Sequence, residues 1–325
     1  MKSLVFFNNK GGVGKTSLVY HLSWILCDLG YRVIAADLDP QANLSTMFLY
    51  DERLENLWED EEQDSTILGA LNPMIKGTGD ISDIHIEELN DTLGLLVGNL
   101  GLSKFEDKLS HNWPLCLSGD EAAFRVTSSF YRILVSASDR FKADIVLVDV
   151  GPNLGAINRA AILAVENIII PMVPDLFSLQ GLKNLGPTLI QWRKDWKDRL
   201  ERKPKSIDLP NNNMNPKGYI IQQHRVRLDR PVKAYDKWGQ KIPVVFHDMV
   251  LGDTKKYLSG LDNDPFNLYP LKHYSSLMPM AMEVKKPIFH LLPADGAIGA
   301  HFQAVQNCRK DFESLAHVVI EKCDI

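Results

Sequence analysis

One short run constrains this chain more than any other. Lys10-Gly11-Gly12-Val13-Gly14-Lys15-Thr16-Ser17 follows an apolar stretch at 4–7 and opens a helical pattern at 16–29. Strand, glycine-rich loop and helix, in that order, form the setting of a phosphate-binding P-loop. The spacing departs from G-x-x-x-x-G-K-[ST], because Asn9 stands where the first glycine belongs. The physics survives that change. Glycines let backbone N–H groups turn inward and approach an anion closely, and the following helix directs its positive end at the same anion. Lys15 is placed to reach terminal phosphates and the Thr16 hydroxyl to ligate Mg²⁺. A plain glycine-rich turn does not account for all these features occurring together.

The rest of the chain fits a sheet that could carry such a loop. Apolar runs at 4–7, 32–36, 93–97, 145–148, 167–172 and 218–221 read as strands, with 287–291 a further candidate. Helical spacing at 16–29, 121–140, 156–165 and 179–199 lies between them. That alternation predicts an α/β fold with a mainly parallel twisted sheet and helices on both faces. Runs such as Ile145-Val146-Leu147-Val148 suit central strands buried on both sides. With 45% hydrophobic and 24% charged residues, disorder and coiled coil are excluded. We expect a single domain over 1–325, with an acidic insertion at about 51–91 and a divergent region at about 223–280.

Charge and cysteines narrow the setting. The net charge is −5, so the whole chain is no basic nucleic-acid coat. Residues 51–91 nevertheless carry 13 acids against two bases, and 191–233 carry 12 bases against five acids. Cys27, Cys116, Cys308 and Cys323 are scattered without CxxC spacing, which fits a reducing cytosol rather than a zinc or iron–sulfur site. No apolar run approaches a membrane span, and the first residues lack the pattern of a signal peptide. A cytoplasmic, nucleoid-associated location is the expectation.

Two acidic strand ends follow the loop. Asp37-Leu38-Asp39-Pro40-Gln41-Ala42-Asn43 comes directly after Val33-Ile34-Ala35-Ala36, at the edge where open α/β sheets bind ligands. Asp37 can cap the next helix; Asp39 is the candidate catalytic acid. Asp144-Ile145-Val146-Leu147-Val148-Asp149 is an apolar strand ending in an acid, the Walker B shape that places Asp149 at the Mg²⁺ shell.

Together these motifs resemble the ParA/MinD family of partition and positioning ATPases, whose deviant Walker A motif matches Lys10-Gly11-Gly12-Val13-Gly14-Lys15-Thr16 and whose D-x-D-P-Q-G-N matches 37–43 with Ala42 in place of the commoner glycine. Gly151-Pro152 stands where the family has two prolines after Walker B. Weaker echoes are 93–106, Pro171 to Leu182, and 287–296. The resemblance implies a slow, partner-stimulated ATPase using ATP and Mg²⁺. It implies Lys10, Lys15 and Asp39 as catalytic residues, with Lys10 reaching across an ATP-bound homodimer. It implies nucleotide contacts from Lys10, Gly11, Gly12, Val13, Gly14, Lys15, Thr16 and Ser17, and Mg²⁺ held through Thr16, Asp39 and Asp149. For the adenine contact, the polar residues just after the apolar run at 218–221 are the candidates: Gln223, with Gln222 its neighbour. In this family the ATP dimer binds a surface and a separate ParB-like or cargo-adaptor protein releases it.

The surface expected here is nucleoid DNA, bound without sequence preference through Arg193, Lys194, Lys197, Arg202, Lys203, Lys205, Arg225 and Arg227. Acids Asp195, Asp198 and Glu201 alternate with these bases, and i,i+4 pairing explains some of them. Two alternatives stand beside it. MinD-type membrane binding needs a basic amphipathic C-terminal helix, whereas 312–325 has little positive charge and reads as a helix packed on the domain. A ligase or kinase on the same scaffold would place its substrate pocket in the divergent region.

Overall fold

The computed structural model describes residues 1–59, 65–211, 213–223, 237–253, 260–274 and 276–325. The strands are β1 (Ser3–Phe6), β2 (Val33–Asp37), β3 (Glu87–Asn90), β4 (Leu93–Leu96), β5 (Ile145–Asp149), β6 (Asn167–Met172), β7 (Asn215–Gln223) and β8 (Asn267–Lys272). They form one sheet in the order β3-β4-β2-β5-β1-β6-β7-β8. Every pairing is parallel except β3 with β4. Parallel neighbours need crossovers, and helices supply them. These are α1 (Lys15–Asp28), α2 (Asn43–Phe48), α3 (Asp51–Trp58), α4 (Ile67–Lys76), α5 (Glu106–Leu115), α6 (Glu121–Thr127), α7 (Ser129–Phe141), α8 (Ala156–Leu163), α9 (Leu176–Leu200), α10 (Ile242–Phe246), α11 (Met278–Glu283) and α12 (Ala300–Cys323).

The strand period of two builds both cores from one strand. In β5 every residue is buried. Val146 and Val148 join the layer of Phe105, Phe130, Leu134, Leu189 and Trp196, while Ile145 and Leu147 join α1 and α12 on the other face. Each fully buried side chain of this kind contributes about 1.5–3 kcal/mol. The apolar stripe of α12 (Val305, Cys308, Phe312, Leu315, Val319) is buried against that second layer. Among the described residues, no helix is long and apolar enough to cross a membrane.

Several expectations need correction. The helix anticipated over 121–140 is two helices broken at Ser128, whose hydroxyl donates to the Phe124 carbonyl at 2.7 Å; such back-bonding competes with the helical ladder. The candidate strand at 287–291 is a single 3₁₀ turn, Ile288–His290, because Pro287 offers no N–H and the Ile288 N–H donates to His21 Nε2 at 3.3 Å instead of to a strand. Strands β3 and β8 went unread. The first is the polar Glu-Glu-Leu-Asn on an edge, and the second contains Pro270, which is tolerated because it too lies at an edge. The acidic stretch supplies α3, α4 and β3. There Arg53 makes a two-pronged contact to Glu87 at 2.8 Å on each oxygen, and Leu54 and Leu57 face inward.

Candidate functional site

The parallel sheet brings the C-terminal ends of β1, β2 and β5 side by side, so the three motifs meet. The loop after β1 needs left-handed backbone at Gly12 (φ +71°) and Gly14 (φ +79°), which only glycine adopts without strain. Gly14 hands over to α1, whose first residue, Lys15, is buried. Burial lowers the Lys15 ammonium from its ordinary range, and the Asp149 and Asp39 carboxylates work against that shift.

Asp149 and Asp37 are register partners at the ends of β5 and β2. Both are fully buried, yet their surroundings differ. The Asp37 Oδ2 accepts from the Ser45 N–H at 2.8 Å and from its hydroxyl at 2.7 Å, which anchors the first turn of α2. Burial pushes the Asp37 carboxyl up to about 7, against the pull of the Ser45 bonds and with the help of Asp39. Asp149 has no well-formed hydrogen bond at either oxygen. Burial raises its carboxyl well above the usual range and the neighbouring Asp37 adds to this, while the nearby Thr16 hydroxyl and Lys15 oppose it. An orphaned buried carboxyl facing a P-loop threonine is a donor set suited to a hard divalent cation. Thr16 and Asp149 therefore fit Mg²⁺. Asp39 sits above them, its Oδ1 accepting from the Gln41 N–H at 3.0 Å.

A cleft of about 500 Å³ lies over these groups, lined by Gly11, Lys15, Thr16, Asp39, Met278 and Met282 among others. Helix α11 forms part of its wall, and the turn just after it is tied across to α2, since Lys285 Nζ donates to the Thr46 carbonyl at 2.6 Å. A narrower cavity of about 70 Å³ continues past Gly14 between Gln222, Lys272 and Tyr274. The Gln222 amide lies against Gly14, 3.0 Å from where a Cβ would stand. Gln223 closes β7, but its side chain lies outside the described residues.

The loop after Asp149 is held from below. Asn158 on α8 is buried and donates through Nδ2 to the carbonyls of Gly151 (2.8 Å) and Asn153 (2.7 Å). Glu106 caps α8 from 50 residues away, accepting from the Ala156 N–H at 2.5 Å and the Ile157 N–H at 2.8 Å. Gly151 comes so close to Asp39 that a Cβ there would lie 3.1 Å from Oδ1.

Lys10 does not point at its own loop. Its Nζ donates to Asp175 Oδ2 at 2.5 Å and to Ser178 Oγ at 3.3 Å. Asp175 is also the N-cap of α9, its Oδ1 accepting from the Ser178 N–H at 2.7 Å. Burial would raise the Asp175 carboxyl, but the Lys10 ammonium prevails and holds it below the usual range. Leu176 and Phe177, next in the chain, are 52% and 74% exposed on the same edge of the sheet.

The basic candidates are elsewhere. Helix α9 starts at that edge, and its 25 residues span about 37 Å at 1.5 Å each. Lys194, Lys197, Arg202, Lys203 and Lys205 are exposed near its far end, at the opposite pole from Lys15. Arg193 is half-buried and donates to the Met214 carbonyl at 2.5 Å. Arg199 is buried and donates to the Trp113 carbonyl at 2.9 Å with its guanidinium over the Trp113 ring. Arg225 and Arg227 lie outside the described residues.

Sheet order, glycine-rich loop and paired strand-end acids define a P-loop nucleotide-binding protein. The family model described as an AAA domain matches residues 1–202, and the chain belongs to that family, with ParA/MinD-type proteins among its relatives. It is 28% identical over 188 residues to a virulence plasmid ParA family protein of Chlamydia trachomatis, covering 57% of this chain and 61% of that one. It is 28% identical over 191 residues to the cell division protein PomZ of Myxococcus xanthus, covering 59% of this chain and 52% of that one. The chain thus spans only about half to three-fifths of these relatives' length. A solved structure from Corynebacterium diphtheriae superposes over 99% of both chains with a TM-score of 0.71 at 21% identity, a likeness of fold.

Proposed function

We propose that this protein is an ATP-driven spatial switch: it dimerises on ATP, binds DNA without sequence preference, and is released when a separate partner stimulates hydrolysis. The observation that carries the reading is the gathering of Lys15, Thr16 and Asp39 around one cleft, with the orphaned Asp149 beside them and Lys10, next to Gly11 of that lining, turned away to Asp175. In this reading the loop N–H groups and Lys15 bind the phosphates. Thr16 and Asp149 hold Mg²⁺, which supplies charge neutralisation when bound. Asp39 orients the attacking water. Gln222 rather than Gln223 meets the base, since its amide already borders the cavity beyond Gly14.

Lys10 would act on the nucleotide of a second copy, and the exposed Leu176 and Phe177 beside it would be covered in that dimer. An edge-to-edge dimer leaves the clusters at Lys194–Lys205 on its two outer poles. DNA would then engage each pole separately rather than one merged patch. The five exposed bases support salt-dependent phosphate binding; Arg193 and Arg199 serve packing.

The test is binding of the full chain to random duplex DNA with ATP·Mg²⁺ and with ADP, at two salt concentrations. ATP-dependent, salt-sensitive binding that is lost on charge reversal at Arg202 and Lys203 supports the reading. Binding indifferent to nucleotide, or unchanged by the reversal, refutes the DNA surface.

A further inference from the structure

We propose that Arg159 and Arg199, set against the ring of Trp113, form a phosphate-binding site where α5, α8 and α9 meet, distinct from the P-loop cleft. The proposal deepens the DNA reading above and rests on it only for where the phosphate comes from.

Trp113 is buried near the end of α5. Two guanidinium carbons lie over its ring, Arg159 at 4.2 Å and Arg199 at 3.9 Å from the centroid, so two like charges are held close together. Arg199 is anchored. Its Nε donates to the Trp113 carbonyl at 2.9 Å and its Nη1 to the Asp195 carbonyl at 2.7 Å. Among the described residues its Nη2 has no hydrogen-bond partner, and Arg159 has neither a hydrogen bond nor an ion pair. Arg159 is nevertheless only partly open to solvent. Burial pushes its guanidinium down to about 10, and Arg199 pushes the same way, against Glu106 and Asp195. Both acids are engaged elsewhere: Glu106 accepts from the Ala156 and Ile157 N–H groups, and Asp195 Oδ1 from Gln191 Nε2 at 2.7 Å.

A guanidinium drawn from water with no acceptor for its N–H groups is costly. Contact with an aromatic face returns part of that cost, and a second guanidinium at the same ring works against it. An anion resolves both. Phosphate suits the donors, because the planar fork of a guanidinium pairs with two phosphate oxygens at once. Position favours the DNA backbone as its source. The 3₁₀ turn after α5 ends at Gly119, where a Cβ would lie 3.4 Å from the Arg202 carbonyl. The exposed Arg202 and Lys203 therefore adjoin the Trp113 end of α5, and a phosphodiester chain on those bases has this site beside it.

The experiment compares the full chain with Arg159→Met, which keeps an apolar stem on Trp113, and Arg159→Lys, which keeps the charge without the fork. Melts in chloride show that each variant is folded. In the first arm the P-loop is filled with saturating ADP·Mg²⁺, and inorganic phosphate replaces chloride at constant ionic strength. Phosphate stabilises proteins in general, so the readout is the difference between proteins. A ligand of the native state raises Tm, and the phosphate shift should be about 1–3 °C larger in wild type than in Arg159→Met, with Arg159→Lys between. The second arm titrates random duplex DNA in ATP·Mg²⁺ over a range of salt. Arg159→Met should bind about tenfold more weakly, and its slope of log affinity against log salt should be shallower by about 1. A merely structural arginine would not move that slope. A shallower slope makes the DNA backbone the source. A lost phosphate shift with DNA binding unchanged supports the site and makes a free phosphate-bearing ligand the source. A wild type that binds no DNA, with a phosphate shift that depends on Arg159, overturns the DNA reading and leaves the site standing. Equal phosphate shifts in wild type and Arg159→Met, with no difference in DNA slope, overturn the site.

Discussion

Glu106→Ala tests how the loop after Asp149 is held. The Glu106 carboxylate accepts from two backbone N–H groups at the first turn of α8, at 2.5 and 2.8 Å. Helix starts leave such donors without internal partners, and an acid there also meets the positive end of the helix, worth about 0.3–2 kcal/mol. Hydrogen bonds to a charged group contribute about 1.5–3 kcal/mol each when buried. Glu106 is only half-buried, and water can replace part of what it gives, so the net loss should be about 2 kcal/mol. For a chain of this size that lowers Tm by about 4 °C. Glu106→Gln keeps one acceptor and should lose about half as much. Because Asn158 clamps the loop from the same helix, phosphate release under saturating ATP should also slow while nucleotide affinity holds. Thermal melts by circular dichroism read the first effect. Superimposable melts of Glu106→Ala and wild type would refute the reasoning.

Further outcomes follow from other sites. His21 is fully buried between α1 and the 3₁₀ turn at Ile288–His290, and burial depresses it to about 4. The unfolded chain then binds a proton that the folded chain refuses, so its contribution is fully present above about pH 6.5 and declines toward pH 4, by about 3 kcal/mol. Denaturant titrations of His21→Gln should show a shallower loss between pH 6.5 and 5 than wild type; parallel losses would contradict this. Ala42 sits at φ +52°, where a Cβ costs about 1–2 kcal/mol, so Ala42→Gly should raise stability by about 0.5–1 kcal/mol after the added freedom of the unfolded chain is counted. A destabilised Ala42→Gly would show the strain is absent. Lys15→Ala should abolish nucleotide binding by calorimetry, and retained affinity would misplace the cradle.

Much of this architecture was legible because it depends on local pattern. Apolar runs such as Ile145–Asp149 and the glycine-rich loop declare themselves in sequence, and the order of the motifs fixed which strand ends meet. What escaped reading depends on distant or weak signals. Strand β3 is too polar to read alone and exists because β4 offers an open edge. Ser128 broke a continuous helical pattern through one side-chain bond. Strand phase at Gln222 and Gln223 is equally hidden from sequence, because a one-residue shift inverts it. The contact of Glu106 with α8 spans 50 residues and has no local signature. Arg193 reads as a surface cation because charge alone does not reveal that α9 turns it inward to the Met214 carbonyl.

The most direct test of the switch is the mass of the protein by light scattering, for wild type and Asp39→Ala, in ATP·Mg²⁺ and in ADP. The account predicts a species of 36.7 kDa in ADP, a species of twice that mass in ATP, and a dimer that persists in Asp39→Ala after the wild type has decayed. A single mass in every nucleotide state for both proteins would contradict it.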